Sequence, residues 1–157
     1  DYQNSASAKK SMGGGVLRDL SHEIDLLNFL FGASIFTYAD SRKVSNLDID
    51  TDDFLLACGK LESGAPITIE LNYFSRLNSR EIFVETTQES IKLDLANFNL
   101  TIIGEKTSYV KYDDNINSSY KAMHKAIIND NFDDACSLHE GLRVLKQIEQ
   151  LENLSFS

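Results

Sequence analysis

Gly13-Gly14-Gly15-Val16-Leu17-Arg18-Asp19-Leu20-Ser21-His22-Glu23-Ile24-Asp25-Leu26-Leu27-Asn28-Phe29-Leu30-Phe31-Gly32 is the run from which the rest of the chain is best approached. Leu17, Leu20, Ile24, Leu27 and Phe31 recur at three- and four-residue steps, the spacing of one helix face. They predict a helix from about Gly14 to Phe31. Gly32 follows directly and is a good stop signal, because glycine adopts the left-handed backbone that ends many helices. At about 100° per residue, His22 falls roughly 60° from Asp19, away from the apolar stripe. Leu26, Phe29 and Leu30 share that arc. A solvated face would not normally gather them, so this helix is expected to be covered on two sides.

Outward from this helix the period changes. Residues 1–12 are small and polar and read as an extended leading segment; Tyr2 is placed to flank a site. Residues 34–45, 53–62, 66–76, 79–86, 90–95, 98–103 and 107–112 are short runs rich in Ile, Thr, Phe, Tyr and Val, the composition of strands. Glu62-Ser63-Gly64-Ala65 reads as a hairpin turn, and Gly104-Glu105-Lys106 as another. With no helix between the runs, the sheet should be mostly antiparallel. Ser118 to Asn129 is helical again, with Met123, Ala126 and Ile127 on one side. Ser137-Leu138-His139-Glu140 is a capping box opening a last helix, with Leu138, Leu142, Leu145, Ile148 and Leu151 as its apolar stripe. The layout is α+β: an open-faced, mostly antiparallel sheet with helices packed on one face. The free face would then suit a second copy in a two-fold dimer.

Composition narrows the function classes. The 157 residues suit one domain, and 42% apolar with 25% charged residues is an ordinary globular balance. The net charge of −9 disfavours nucleic acid and anionic membranes as partners. No apolar run approaches the roughly 20 residues of a membrane span. Cys58 and Cys136 show no CxxC or metal spacing and read as reduced thiols in a cytoplasmic protein. His22, His124 and His139 show neither HxH nor HExxH, which disfavours a metal-dependent hydrolase. His124 and His139 read as surface and capping residues. No GxGxxG follows a strand and no P-loop occurs, so this stretch cannot bind a dinucleotide in the usual way.

Asp19 and His22 stand three residues apart, within reach on a helix. A carboxylate beside an imidazole favours the charged ring and can fix its tautomer, which is the equipment of a general acid–base. The same pair could instead tie the helix to the sheet.

The glycine run followed by Asp19, His22 and Asp25 and a hydrophobic stop at Gly32 resembles the signature helix of the Gfo/Idh/MocA oxidoreductase family. Glu70-Leu71-Asn72-Tyr73-Phe74-Ser75-Arg76 resembles that family's central strand. Residues 122–127 and 138–142 resemble its closing helices. The resemblance implies that residues 1–157 are a C-terminal substrate and oligomerisation domain. An N-terminal Rossmann domain would bind NAD or NADP and supply a lysine. It further implies a sugar, polyol or sugar-acid substrate, extending to nucleotide-sugar or nonulosonic-acid chemistry. His22 is then the acid–base, assisted by Asp19, with Arg18, Asp25, Asn72 and Arg76 as substrate contacts. The usual pattern has three residues between Asp and His where this chain has two, so His22 is the safer assignment. Arg18 and Arg76 would suit an acidic or phosphorylated sugar. The alternative is a non-catalytic dimerisation or scaffold module of the same fold.

Overall fold

A computed structural model describes residues 5–112, 116–132 and 135–155; Tyr2 lies outside them. The described part of the leading segment, residues 5–12, is not the extended chain expected from its composition. It forms two 3-10 turns, Ala6–Ala8 and Lys10–Met12. The expected first helix is two: α1 (Val16–Asp19) and α2 (Ser21–Phe31), broken at Leu20, whose φ −96° and ψ 23° leave the helical region. Gly32 ends α2 with φ 83°. The strand runs are all present among the described residues: β1 (Ser34–Arg42), β2 (Phe54–Leu61), β3 (Pro66–Asn72), β4 (Glu81–Glu85), β5 (Ser90–Asp94), β6 (Asn99–Ile103) and β7 (Thr107–Lys111). Helices α3 (Ile116–Ile128) and α4 (Leu138–Ser155) follow. The α+β class and the antiparallel pairing hold throughout. The sheet, however, is two: β1-β2-β3 and β4-β5-β6-β7. The chain divides accordingly into one unit of Asp1–Phe74 with Cys136–Ser157 and a second of Ser75–Ala135.

In the first unit, α1, α2 and α4 cover the three-stranded sheet. Val16, Leu17, Ile24, Phe36, Ala39, Leu55, Ala57, Val144, Ile148 and Leu151 form its core. Strict alternation along β1 would put Ser34, Phe36 and Tyr38 inside. The register instead slips between Phe36 and Tyr38, and the inward side passes to Ala39. This bulge is possible because Gly59 lies opposite Phe36; a β-carbon there would meet the Ile35 carbonyl. Asp53, just before β2, and Leu55 and Ala57 on it are then buried in plain alternation.

α4 opens as its capping box demands. The Ser137 N–H donates to Glu140 Oε2 (2.7 Å), and the Glu140 N–H to Ser137 Oγ (3.3 Å). Its buried face differs from the leucine stripe. Val144, Gln147, Ile148 and Leu151 are inside, whereas Leu138, Leu142 and Leu145 are exposed. The reason is polar. Gln147 Nε2 donates to the Ser34 carbonyl (2.9 Å) and Ser34 Oγ (2.8 Å), and its Oε1 accepts from Asn28 Nδ2 (2.7 Å). One turn on, Gln150 Nε2 donates to the Phe36 carbonyl (2.8 Å). Two glutamines at i, i+3 thus satisfy two carbonyls at i, i+2 on the outer side of edge strand β1 and set the roll of the helix.

The second unit is a meander. Ile82, Leu93, Leu100 and Val110 form one cross-strand row, and Val84, Ile91 and Ile102 continue the same aliphatic face. The other face is mixed: Lys92 pairs with Glu81 (2.7 Å) and lies over Phe83. No described side chain of this unit is fully buried. On α3, Met123 and Ile127 of the expected stripe are exposed.

Two stability tests follow. A β-carbon on Gly15 would collide with Asp52 Oδ1, at a φ of 128° that side chains rarely adopt. Gly15→Ala should therefore cost about 2 kcal/mol or more, read as a lowered urea midpoint. Asp53 is wholly buried and accepts from the Val44 and Ser45 N–H groups (2.7 and 3.1 Å) and from Ser45 Oγ. Burial pushes its carboxyl up, but these hydrogen bonds outweigh burial and hold it below the ordinary 3.8. Its contribution is thus present above the unfolded-state pKa and lost as pH falls through the lower folded one. Asp53→Asn should destabilise by about 1–3 kcal/mol at neutral pH, and the difference from wild type should shrink below about pH 4 in urea titrations.

Candidate functional site

The signature segment is clamped to the sheet before it becomes helical. The Val16 N–H donates to the Asp52 carbonyl (3.1 Å), and the Leu17 N–H to Asp52 Oδ2 (3.3 Å). Ser41 Oγ holds the same carboxylate oxygen (3.0 Å). The glycine run folds back on the leading segment. Gly13, Gly14 and Gly15 donate their N–H groups to the carbonyls of Lys10, Lys9 and Ser7 (3.0, 3.0 and 3.1 Å). Every backbone donor from Gly13 to Val16 is therefore used internally. This glycine run offers no N–H nest to a phosphate, so the residues present do not fit a nicotinamide dinucleotide here.

Asp19 closes α1. Ser7 Oγ donates to its Oδ1 (2.7 Å) and the Tyr73 hydroxyl to its Oδ2 (3.1 Å). Both carboxylate oxygens are thus held by hydroxyls, one from the leading segment and one from the strand side. Tyr73 follows Ile67, Ile69 and Leu71 in alternation and packs on the core beside them. Asn72, one position earlier, lies on the opposite face of β3. Of these two neighbours on the strand it is Tyr73 that reaches Asp19.

His22 stands on the first turn of α2, its side chain 56% exposed. The expected Asp19–His22 pair does not form, because the break at Leu20 cancels the 60° relation that a continuous helix would give. His22 Nε2 lies 3.3 Å from Glu23 Oε1 instead. Among the described residues it makes no other hydrogen bond or ion pair. The second cover expected over this side is also absent from the described residues: Phe29 is 71% exposed and Leu30 is exposed too. Asp25 faces Cys136, Sγ to Oδ1 4.0 Å. Burial, then the charges of Asp25 and Glu140, push that thiol up. Arg18 Nε pairs with Glu152 Oε1 of α4 (2.6 Å), whose hydrogen bond and charge raise the guanidinium further. Arg76 belongs to the second unit. The sequence pattern did not mark Ser7 or Glu23 as site residues. Only the adjacency of Glu23 to His22 was a signal, and helix geometry argues against neighbours facing one another.

The sequence matches the GFO/IDH/MocA C-terminal domain family over residues 1–110. The chain belongs to this family. Solved structures of the same fold include an oxidoreductase from Agrobacterium radiobacter in complex with NAD+, L-tartaric acid and magnesium (17% identity, TM-score 0.72, 87% of this chain and 45% of that one). Another is UDP-N-acetylglucosamine 3-dehydrogenase GnnA from Acidithiobacillus ferrooxidans (21%, 0.70, 92% and 48%). A third is a mutant of KijD10, a 3-ketoreductase from Actinomadura kijaniata, in complex with TDP-benzene and NADP (13%, 0.70, 89% and 47%). The GFO/IDH/MocA chain described here spans about half the length of each. No curated protein matches it. Among the described residues no three His, Cys, Asp or Glu side chains converge as a metal site, and no helix is long and apolar enough to cross a membrane.

The Arg18–Glu152 pair is half exposed on the arginine side. Arg18→Ala should therefore change stability by less than about 1 kcal/mol, a difference that fades in high salt. Paired urea titrations at low and high ionic strength check this.

Proposed function

We propose that residues 1–157 form the substrate-side domain of an NAD(P)-dependent oxidoreductase of a sugar, polyol or sugar acid, with His22 as its acid–base. One observation carries the reading. His22 is exposed at the start of α2, within the family-matched segment, with a carboxylate at 3.3 Å and no other partner among the described residues. A histidine kept for structure would be spent on the fold; this one has a ring nitrogen to exchange a proton with a hydroxyl or carbonyl. That exposure also favours chemistry over a scaffold role. The cofactor, NAD or NADP, would be held mainly by a Rossmann domain outside these residues. Two of the similar structures carry NAD+ and NADP, and one is named for a nucleotide sugar, which supports the class.

Arg18 and Asp25 flank His22 on the same segment and are the proposed substrate contacts nearest it, with Arg76 a further candidate for an anionic substituent. A homodimer is proposed, supported by the aliphatic face of the β4–β7 sheet. The free thiols Cys58 and Cys136 fit a cytoplasmic protein.

The test uses the full-length protein with NAD(P)(H) and a panel of sugars, nucleotide sugars and sugar acids. His22→Ala should lower kcat by about a hundredfold or more with unchanged circular dichroism. Turnover at the wild-type rate in that variant would reject the acid–base role.

A further inference from the structure

We infer that Glu23, not Asp19, is the positioning residue for His22. This inference rests on the acid–base reading of His22 given above. The contact is direct: Glu23 Oε1 lies 3.3 Å from His22 Nε2. The two side chains differ in environment, Glu23 being 19% exposed against 56% for His22. A largely sheltered carboxylate beside an exposed ring is the arrangement of an orienting group and the group it orients. The Glu23 N–H donates to the Leu20 carbonyl (2.9 Å) in a tight i to i−3 turn at the break, and this turn sits at the very start of α2.

Asp19 has a different assignment. Its two oxygens accept from Ser7 and Tyr73, which anchors α1 to the leading segment and to the strand side. The carboxylate in contact with the imidazole is that of Glu23. With Nε2 turned to Glu23, neutral His22 carries its proton on Nε2 and donates it to Glu23. Nδ1 is then the nitrogen that takes a proton from a substrate hydroxyl or, once protonated, returns it to a carbonyl oxygen. Glu23 touches no substrate in this scheme. It acts by fixing the tautomer and the ring.

Two readouts test this. The first is independent of turnover: side-chain nitrogen and carbon NMR shifts of His22 in this chain report which ring nitrogen bears the proton. The Nε2–H form is expected in wild type and a mixture of tautomers in Glu23→Ala, with Asp19→Asn leaving the His22 signals unchanged. The second uses the full-length enzyme. Glu23→Ala should lower kcat about tenfold or more with KM within about threefold, and Glu23→Gln, which keeps an acceptor, should recover part of it. In a His22→Ala background, Glu23→Ala should have no further effect. Unchanged His22 tautomer in Glu23→Ala, or wild-type kcat in that variant, overturns the role of Glu23. If His22→Ala itself retains turnover, the acid–base reading falls, whatever the tautomer result.

Discussion

The hold of Asp52 on residues 15–17 is the constraint on which the rest of the first unit depends. One residue supplies a backbone carbonyl to Val16 and a carboxylate oxygen to Leu17 and Ser41. It can do so only because Gly15 has no β-carbon in its way. The start of α1 is thereby fixed against the strand that buries Leu55 and Ala57. Val16 and Leu17 enter the core as a result, and Asp19 arrives within reach of Tyr73. A helix of four residues has almost no stability of its own. Its place is held from outside, by Asp52 at one end and by Ser7 and Tyr73 at the other.

Much of this was legible in the sequence, for identifiable reasons. The strands announce themselves because β-branched and aromatic runs alternate with turn residues, and the Gly64 and Gly104 turns join them as expected. The capping box is legible because Ser137 and Glu140 satisfy one another locally. What could not be read depends on partners distant in sequence. The buried face of α4 looks like its leucine row, yet Gln147 and Gln150 turn the helix to reach carbonyls more than a hundred residues away. Apolar periodicity counts leucines and cannot see an edge strand in need of donors. The bulge after Phe36 hides for a similar reason, since only the pairing with β2 exposes it.

The signature segment shows the same limit at the scale of the site. Its residue types were enough to single out Asp19 and His22. Their relation was not readable, because it assumed one continuous helix, and a single non-helical residue at Leu20 removes it. The break lets each be placed by its own neighbours.

Two carboxylates on either side of that break therefore meet different demands. Asp19 accepts from two hydroxyls of the fold; Glu23 lies beside an exposed imidazole. The glycine run before them, which in another setting would invite a phosphate, has its amides committed to the leading segment. His22 is presented outward at the start of α2, with Arg18 half exposed on the segment before it. In the proposed oxidoreductase this is a division of labour. The domain would contribute proton transfer and a substrate-facing surface, and the redox chemistry would belong to a cofactor site elsewhere in the enzyme.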